Sequence, residues 1–346
     1  MPKFIGTTMQ KGGVGKTLVA KEVAAALAEK GEKVLFADLD PAGHGTKGLC
    51  WSVELEIQTR REQGLSISRE LEHLHSLEQE EIALAVKEER DPELQELYTL
   101  DGPNLFQALI PEAFPPKKGK PRPAITVQQL IRVLPGEKFH LLPAHEEMTA
   151  LQQWLSNASN RVERLWNFLS QIDDDYIVVL DSPPDLGPIT DSVLYVSRAS
   201  DNHNSARPGS AGIIVPMEAD DESLNALDQL WAQIETLERV TKTHIDILTV
   251  VVNKYEDGTL GSEILRDLRA NLPQEIVAPF EIRKRNVARK AYRAGQSIYT
   301  YWPTDHREKH LQKDVLDLRN WFGLLADLVL ARLKVLAETK NEQVQA

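Results

Sequence analysis

The chain has 346 residues, 42% of them apolar and 27% charged, and a formal net charge of −12. That length supports a large buried core, and no apolar run reaches the ~18–20 residues of a membrane span; the one cysteine, Cys50, excludes internal disulfides and, unless several subunits contribute, a cysteine-ligated iron–sulfur cluster. The acidic balance argues against a chain coated with nucleic acid, although the distribution of charge decides that question.

Phe4-Ile5-Gly6-Thr7-Thr8 reads as a short strand and Leu18 to Lys30, rich in Ala, Leu, Val, Glu and Lys, as a helix. Between them lies Lys11-Gly12-Gly13-Val14-Gly15-Lys16-Thr17. Glycines let consecutive backbone N–H groups turn inward around an anion, and the helix aims its positive end at the same point. Lys16 then reaches the outer phosphates and the Thr17 hydroxyl holds magnesium. The usual phosphate loop has a glycine six residues before its lysine; here that position is Gln10, and a second lysine, Lys11, opens the turn. Lys11 either faces the anion or is a solvated loop residue.

Lys11 to Thr17 resembles the deviant Walker A loop of the ParA/MinD group of ATPases. The resemblance implies a doubly wound, mostly parallel α/β sheet of the P-loop NTPase type, with ATP and Mg2+ as cofactors. It also implies an ATP-dependent sandwich dimer in which Lys11 crosses to the nucleotide of the other subunit.

Gly31 stops the first helix, and Lys33 to Asp38 reads as a buried parallel strand ending in an acid. Ligands of such sheets sit beyond the carboxyl ends of strands, so Asp38-Leu39-Asp40-Pro41 lies beside the loop. A carboxylate there positions water against a terminal phosphate or orients magnesium; a helix cap or turn is the plainer role for each aspartate. The family's matching segment is Asp-x-Asp-Pro-Gln, which gives Asp40 the catalytic role, with Ala42 where Gln is usual.

From Trp51 to Leu100 the composition shifts to Glu, Gln, Leu and Arg. Leu65, Ile67, Leu71, Leu74 and Leu77 recur at near-helical spacing, predicting one or two surface helices in a charged insertion that the resemblance does not cover. It is either a solvated face or a partner-specific surface. Pro111 to Pro123, with five prolines and Lys117, Lys118, Lys120 and Arg122, is a loop. Phe139 to Pro143 is a third strand candidate, and Leu165 to Ile172 a helix.

Tyr176 to Asp181 is the strongest strand, again ending in Asp, followed by Ser182-Pro183-Pro184. An acid there fits a Walker B role, orienting magnesium through water. The family's second switch reads Asp-x-Pro-Pro, which Asp181 to Pro184 matches. Asn202 to Ser210 is a polar loop, Gly212 to Pro216 a strand, and Leu224 to Leu237 an amphipathic helix. Ile247 to Lys254 is a further buried strand with a polar end. By the resemblance Asn253 contacts adenine with Lys254 beside it; a strand-terminating turn residue is the other reading.

Arg283, Lys284, Arg285, Arg289, Lys290 and Arg293 put six cations within eleven residues. Arg285, Arg289 and Arg293 are spaced four apart and share a face if helical. Such a row suits a phosphate backbone, with salt-dependent binding that ignores sequence; the alternative is an exposed helix paired with the chain's own acids. The family has an Arg-Asn-Val segment and a later glycine here, matched by Arg285-Asn286-Val287 and Gly295, with Lys284 where proline is usual. In the family this loop flanks the adenine pocket and nearby cations bind DNA.

Asp314 to Thr339 reads as one long helix packed on the domain, and the polar tail after it lacks the basic charge of a membrane anchor. His73 and His75, and His306 and His310, are isolated surface pairs without a metal set. The expectation is one P-loop domain over 1–346, with 51–100 inserted and 314–339 as the C-terminal helix. By resemblance it is a ParA-like ATPase, cytoplasmic and nucleoid-associated, with Asp181, Asp40 and Thr17 at the metal and Arg283, Arg285, Arg289, Lys290 and Arg293 on DNA. A ParB-like partner would stimulate hydrolysis and move a plasmid, chromosome or other cargo. A MinD-like membrane-cycling factor and a metabolic or assembly P-loop ATPase are the alternatives.

Overall fold

Apolar runs that alternate between two buried faces build the sheet at the centre of the molecule. The computed structural model describes residues 2–49, 53–62, 64–67, 69–88, 104–113, 124–134, 136–145, 147–198, 200–201 and 211–345. Cys50, the charged stretch from 89 to 100, Lys117, Lys118, Lys120, Arg122 and the loop 202–210 lie outside the described residues.

The strands are β1 (Lys3–Thr7), β2 (Lys33–Asp38), β3 (Arg132–Val133), β4 (His140–Leu142), β5 (Tyr176–Asp181), β6 (Ser200–Asp201), β7 (Ala211–Met217), β8 (Thr243–His244) and β9 (Ile247–Val252). Seven of them form one sheet in the order β3-β4-β2-β5-β1-β7-β9; β6 and β8 pair separately. All neighbours in the large sheet are parallel except the edge strand β3, which runs against β4. The fold is therefore the expected mostly parallel, doubly wound type.

The helices are α1 (Lys16–Glu29), α2 (His44–Lys47), α3 (Val53–Glu62), α4 (Arg69–Lys87), α5 (Leu105–Leu109), α6 (Val127–Leu130), α7 (Met148–Asn157), α8 (Arg161–Leu169), α9 (Pro188–Val196), α10 (Asp221–Thr241), α11 (Thr259–Asn271), α12 (Val287–Arg293) and α13 (Leu311–Gln345). Ile5, Val34, Phe36, Ile177 and Val179 face a cluster formed with α1 and α13. Their neighbours Phe4, Leu35, Ala37, Val178 and Leu180 face the opposite side, against α5, α7, α8 and α9. Helices cover both faces because both faces of these strands are apolar. The small residues Ala20, Ala24 and Ala28 let α1 lie close to the sheet, which fixes the turn at its head.

Helices α3 and α4 share a small cluster of Val53, Ile57 and Leu71, with Ile67 against it. Leu65 precedes α4 and is 43% exposed, so it is not part of the apolar stripe. Buried Glu56 is held by Arg60 at 2.7 Å. The C-terminal helix starts three residues earlier than the periodicity suggests and buries Val315, Leu318, Phe322, Leu325 and Val329 against the α1 side of the core. Helices α2, α5, α6, α7, α9 and α11 have no counterpart in the sequence patterns. Among the described residues, no helix is long and apolar enough to cross a membrane.

Candidate nucleotide site

The turn between β1 and α1 holds Gly13 at φ 86° and Gly15 at φ 88°. Both are left-handed, a region that costs a residue with a β-carbon about 1–2 kcal/mol. Lys16 is 6% exposed, and its Nζ donates to the carbonyl of Lys11 at 3.0 Å. Burial pushes the Lys16 pKa down, and the charges of Asp181, Asp40 and Asp185 work against that shift.

Lys11 is not a free solvated residue. Its Nζ donates to Asp220 Oδ2 at 2.5 Å and to Ser223 Oγ at 3.4 Å, and lies 3.3 Å from Glu222 Oε2. Desolvation opposes its charge, yet the hydrogen bonds and charges of Asp220 and Glu222 leave its pKa raised. Asp220 also caps α10, accepting the Ser223 N–H at 2.8 Å. This acidic run from Glu218 to Glu222 escaped the sequence reading, although it follows β7 just as the other acids follow β2 and β5.

Three adjacent strands bring the acids to one level. Thr7 of β1 is in register with Asp181 of β5, which is in register with Asp38 of β2. Asp38 Oδ2 accepts both the N–H and the hydroxyl of Thr46, at 2.6 and 2.8 Å, and Oδ1 accepts the Asp40 N–H at 3.3 Å. Asp38 thus anchors α2, the plainer of its two expected roles. Asp40 is 9% exposed, and its Oδ1 accepts the Ala42 N–H at 2.9 Å. Ala42, standing where the resemblance expects Gln, serves the turn through its backbone.

Asp181 is fully buried, and among the described residues neither carboxylate oxygen makes a close hydrogen bond. Burial pushes its pKa well up, Asp38 and Asp40 push in the same direction, and Thr17 and Lys16 pull it down. An orphaned carboxylate facing a threonine hydroxyl and a lysine is what a hydrated magnesium ion beside a phosphate requires. Among the described residues, no three His, Cys, Asp or Glu side chains gather to hold a metal alone. The donor set fits magnesium, which takes few protein ligands and completes its shell with water and phosphate oxygens.

Next to the turn lies a cavity of about 480 Å³, bounded by Leu18, Asn253, Lys254, Tyr255, Asn286 and Leu318 among others. Arg283, Lys284, Arg285 and Arg289 also line it. The four expected nucleotide-binding residues beyond the turn, Asn253, Lys254, Arg285 and Asn286, therefore meet at one cavity. Asn253 is 1% exposed and directs its amide nitrogen to the Val14 carbonyl at 2.8 Å.

The basic segment differs from its expected form. Helix α12 spans only Val287–Arg293, so Arg285 sits before it and the three arginines do not form one helical row. Arg283 pairs with Asp257 at 2.5 Å, Lys284 with Glu256 at 2.6 Å, and Lys290 with Glu308 at 2.5 Å. Arg285 bridges Asp314 and Asp317 at 3.0 and 3.3 Å and lies over the Trp321 ring. Among the described residues, Arg289 and Arg293 make no ion pair.

The family signature described as the CobQ/CobB/MinD/ParA nucleotide binding domain matches residues 5–298. The chromosome-partitioning ATPase Soj of Thermus thermophilus is 25% identical over 90% of this chain and 94% of its own. The sporulation initiation inhibitor protein Soj of Bacillus subtilis is 22% identical over 78% and 79%. The ATP complex of a Cyanothece McdA variant superposes with a TM-score of 0.62 at 17% identity, covering 95% of this chain and 96% of that one. Cobyrinic acid a,c-diamide synthase from Mycobacterium smegmatis, with ADP and magnesium bound, superposes at 0.54 with 20% identity, covering 88% and 100%. With the match to the family signature and the loop, acids and cavity in place, the chain belongs to the CobQ/CobB/MinD/ParA nucleotide-binding family and is an ATP- and magnesium-dependent ATPase of the ParA/MinD type.

Proposed function

We propose that this ATPase forms an ATP-dependent sandwich dimer that binds DNA without sequence preference and positions a cargo through partner-stimulated hydrolysis. The observation that carries this reading is Lys11. A phosphate turn needs one lysine, and Lys16 already lies inside it; Lys11 instead turns to Asp220 and Glu222 at the head of α10. A cation held there by exchangeable acids is free to reach the phosphates of a second copy. Relatives named for chromosome and plasmid partition support the same assignment.

In the catalytic cycle, the turn's N–H groups and Lys16 hold the triphosphate, and Thr17 with Asp181 would hold a magnesium ion. When bound, such an ion would supply positive charge to the terminal phosphoryl group. Asp40, anchored by the Ala42 N–H, orients the attacking water. Lys11 of the second subunit neutralises charge that builds on the bridging oxygen. Hydrolysis removes the reason for Lys11 to stay in trans, the dimer parts and DNA is released. A ParB-like partner would accelerate this step, with a plasmid, chromosome or protein assembly as the cargo.

The test is a salt-titrated binding assay on random duplex DNA, with and without ATP, alongside sedimentation. Wild type should dimerise and bind DNA only with ATP, and binding should weaken steeply with salt. Lys11→Ala should bind ATP within about threefold of wild type yet remain a monomer and lose DNA. ATP turnover with no effect of DNA would instead favour a metabolic or assembly ATPase, and ATP-dependent vesicle binding a membrane-cycling factor.

A further inference from the structure

A turn that aims its N–H groups at an anion must aim its carbonyls away from it, and each buried carbonyl then needs a donor. In this turn the carbonyls are claimed individually. Lys254 Nζ donates to Gly13 O, Asn253 Nδ2 donates to Val14 O at 2.8 Å, and Lys16 Nζ donates to Lys11 O at 3.0 Å. Lys16 must leave when it turns to a phosphate. Asn253 and Lys254 have no such competing duty at the phosphates.

We infer that Asn253 and Lys254 are positioning residues that clamp the phosphate turn from behind, so that the turn is built before ATP arrives. The inference rests on ATP binding at this turn and goes beyond it, because the resemblance gave Asn253 to the adenine ring. Three further features fit the clamp. The Asn253 side chain sits so close to the turn that a β-carbon at Gly15 would lie 2.4 Å from its amide nitrogen. The Asn253 backbone is itself fixed, its N–H donating to Met217 O at 2.7 Å. Lys254 is a non-glycine residue at φ 53°, a conformation that costs about 1 kcal/mol and turns the chain back at this point. Its ammonium is steadied on the other side by Glu218 at 3.0 Å. The end of β9 thus reaches across the sheet edge and holds two successive carbonyls of the loop that follows β1.

The discriminating probe is inorganic tripolyphosphate with magnesium, which carries the charge of ATP and no base. Asn253→Ala should weaken tripolyphosphate and ATP alike, each by about tenfold, as loss of one buried hydrogen bond predicts. The ratio of GTP to ATP affinity should stay within about twofold. Without any ligand, amide hydrogen exchange at residues 13–16 should quicken by about tenfold in both Asn253→Ala and Lys254→Met, while β5 exchanges as in wild type. If Asn253→Ala leaves tripolyphosphate binding intact and weakens only ATP, Asn253 is a base contact and the clamp is wrong. Unchanged exchange at 13–16 in Lys254→Met overturns it independently, through a half-buried side chain. Wild-type protein that binds neither ligand would remove the nucleotide reading, whereas wild type that binds both, with unaltered variants, would remove the clamp alone.

Discussion

The acids at the carboxyl ends of β2 and β5 and the cations from Arg283 to Arg293 are treated in opposite ways by the same fold. Asp181 is buried, among the described residues neither of its oxygens makes a close hydrogen bond, and Asp38 and Asp40 crowd it with like charge. The cations are mostly spoken for: Arg283, Lys284, Arg285 and Lys290 each face at least one carboxylate of the chain itself. A charge that folding leaves uncompensated in a buried place is costly, so it persists where a ligand completes it. A charge already paired at the surface contributes ~0–1 kcal/mol and has little left to offer a partner. The two regions also touch. The Tyr292 ring of α12 packs so closely on Gly48, just past α2, that a β-carbon there would meet it at 2.5 Å.

The largest effects should come from breaking the uncompensated side. Lys16→Ala removes the cation that both the triphosphate and the acids require, and nucleotide binding measured by calorimetry should be abolished. Asp40→Ala should lower ATP turnover by about 10²–10³-fold while ATP affinity stays within a few fold, since a water-orienting group acts in the transition state. An ATP-loaded dimer that still holds DNA should accumulate. Normal hydrolysis by Asp40→Ala would mean that the acids at these strand ends serve only the fold.

On the compensated side the expected effects are smaller and graded. Arg289→Glu and Arg293→Glu, which alter cations without an ion pair among the described residues, should each weaken binding to random DNA by about tenfold and lower the salt slope by about one. Arg283→Glu and Lys290→Glu should have less than half that effect on the slope, because Asp257 and Glu308 already neutralise those groups. A reversed order, with the paired cations mattering more, would show that DNA displaces these ion pairs and that pairing is no guide to use. Arg289 lines the nucleotide cavity as well, so ATP affinity must be measured beside DNA affinity to separate the two losses.

What the sequence made legible follows from locality. The apolar runs ending in Asp38 and Asp181, and the turn from Lys11 to Thr17, each carry their signal within a few adjacent residues, and the sheet brings them together as the parallel-strand rule requires. Pairing is invisible at that scale. Arg285 looked available because its partners, Asp314 and Asp317, lie on another helix, and the Asn253 contact with Val14 spans 239 positions. The helical spacing of Arg285, Arg289 and Arg293 misled for a related reason: α12 begins after Asn286, where the chain is still leaving the cavity wall. Lys11 was singled out by type, but its acidic holders at Asp220 and Glu222 were not, since an acid at a strand end reads as ligand contact or lysine partner only once both ends are placed.

The smallest expected effect on activity sharpens the comparison within the acids themselves. Asp38 spends its oxygens on Thr46 and the Asp40 N–H, and burial first, then the Asp40 charge, pushes its pKa up to about 6 against the restraint of those donors. A carboxyl raised on folding adds stability below its unfolded pKa of ~3.9, and that contribution is lost as pH climbs through about 6. Asp38→Asn cannot ionise and keeps an acceptor for Thr46. Relative to wild type it should therefore gain on the order of 1–3 kcal/mol between pH 4 and pH 8, read from denaturant unfolding at each pH. Its turnover should stay within about threefold of wild type, because Asp38 holds α2 in place and leaves the water to Asp40. A loss of turnover as deep as that of Asp40→Ala would put Asp38 among the groups that touch the reacting atoms. A flat stability difference across the pH range would mean that its carboxylate is already compensated, and the contrast with the paired cations would fail at its most buried member.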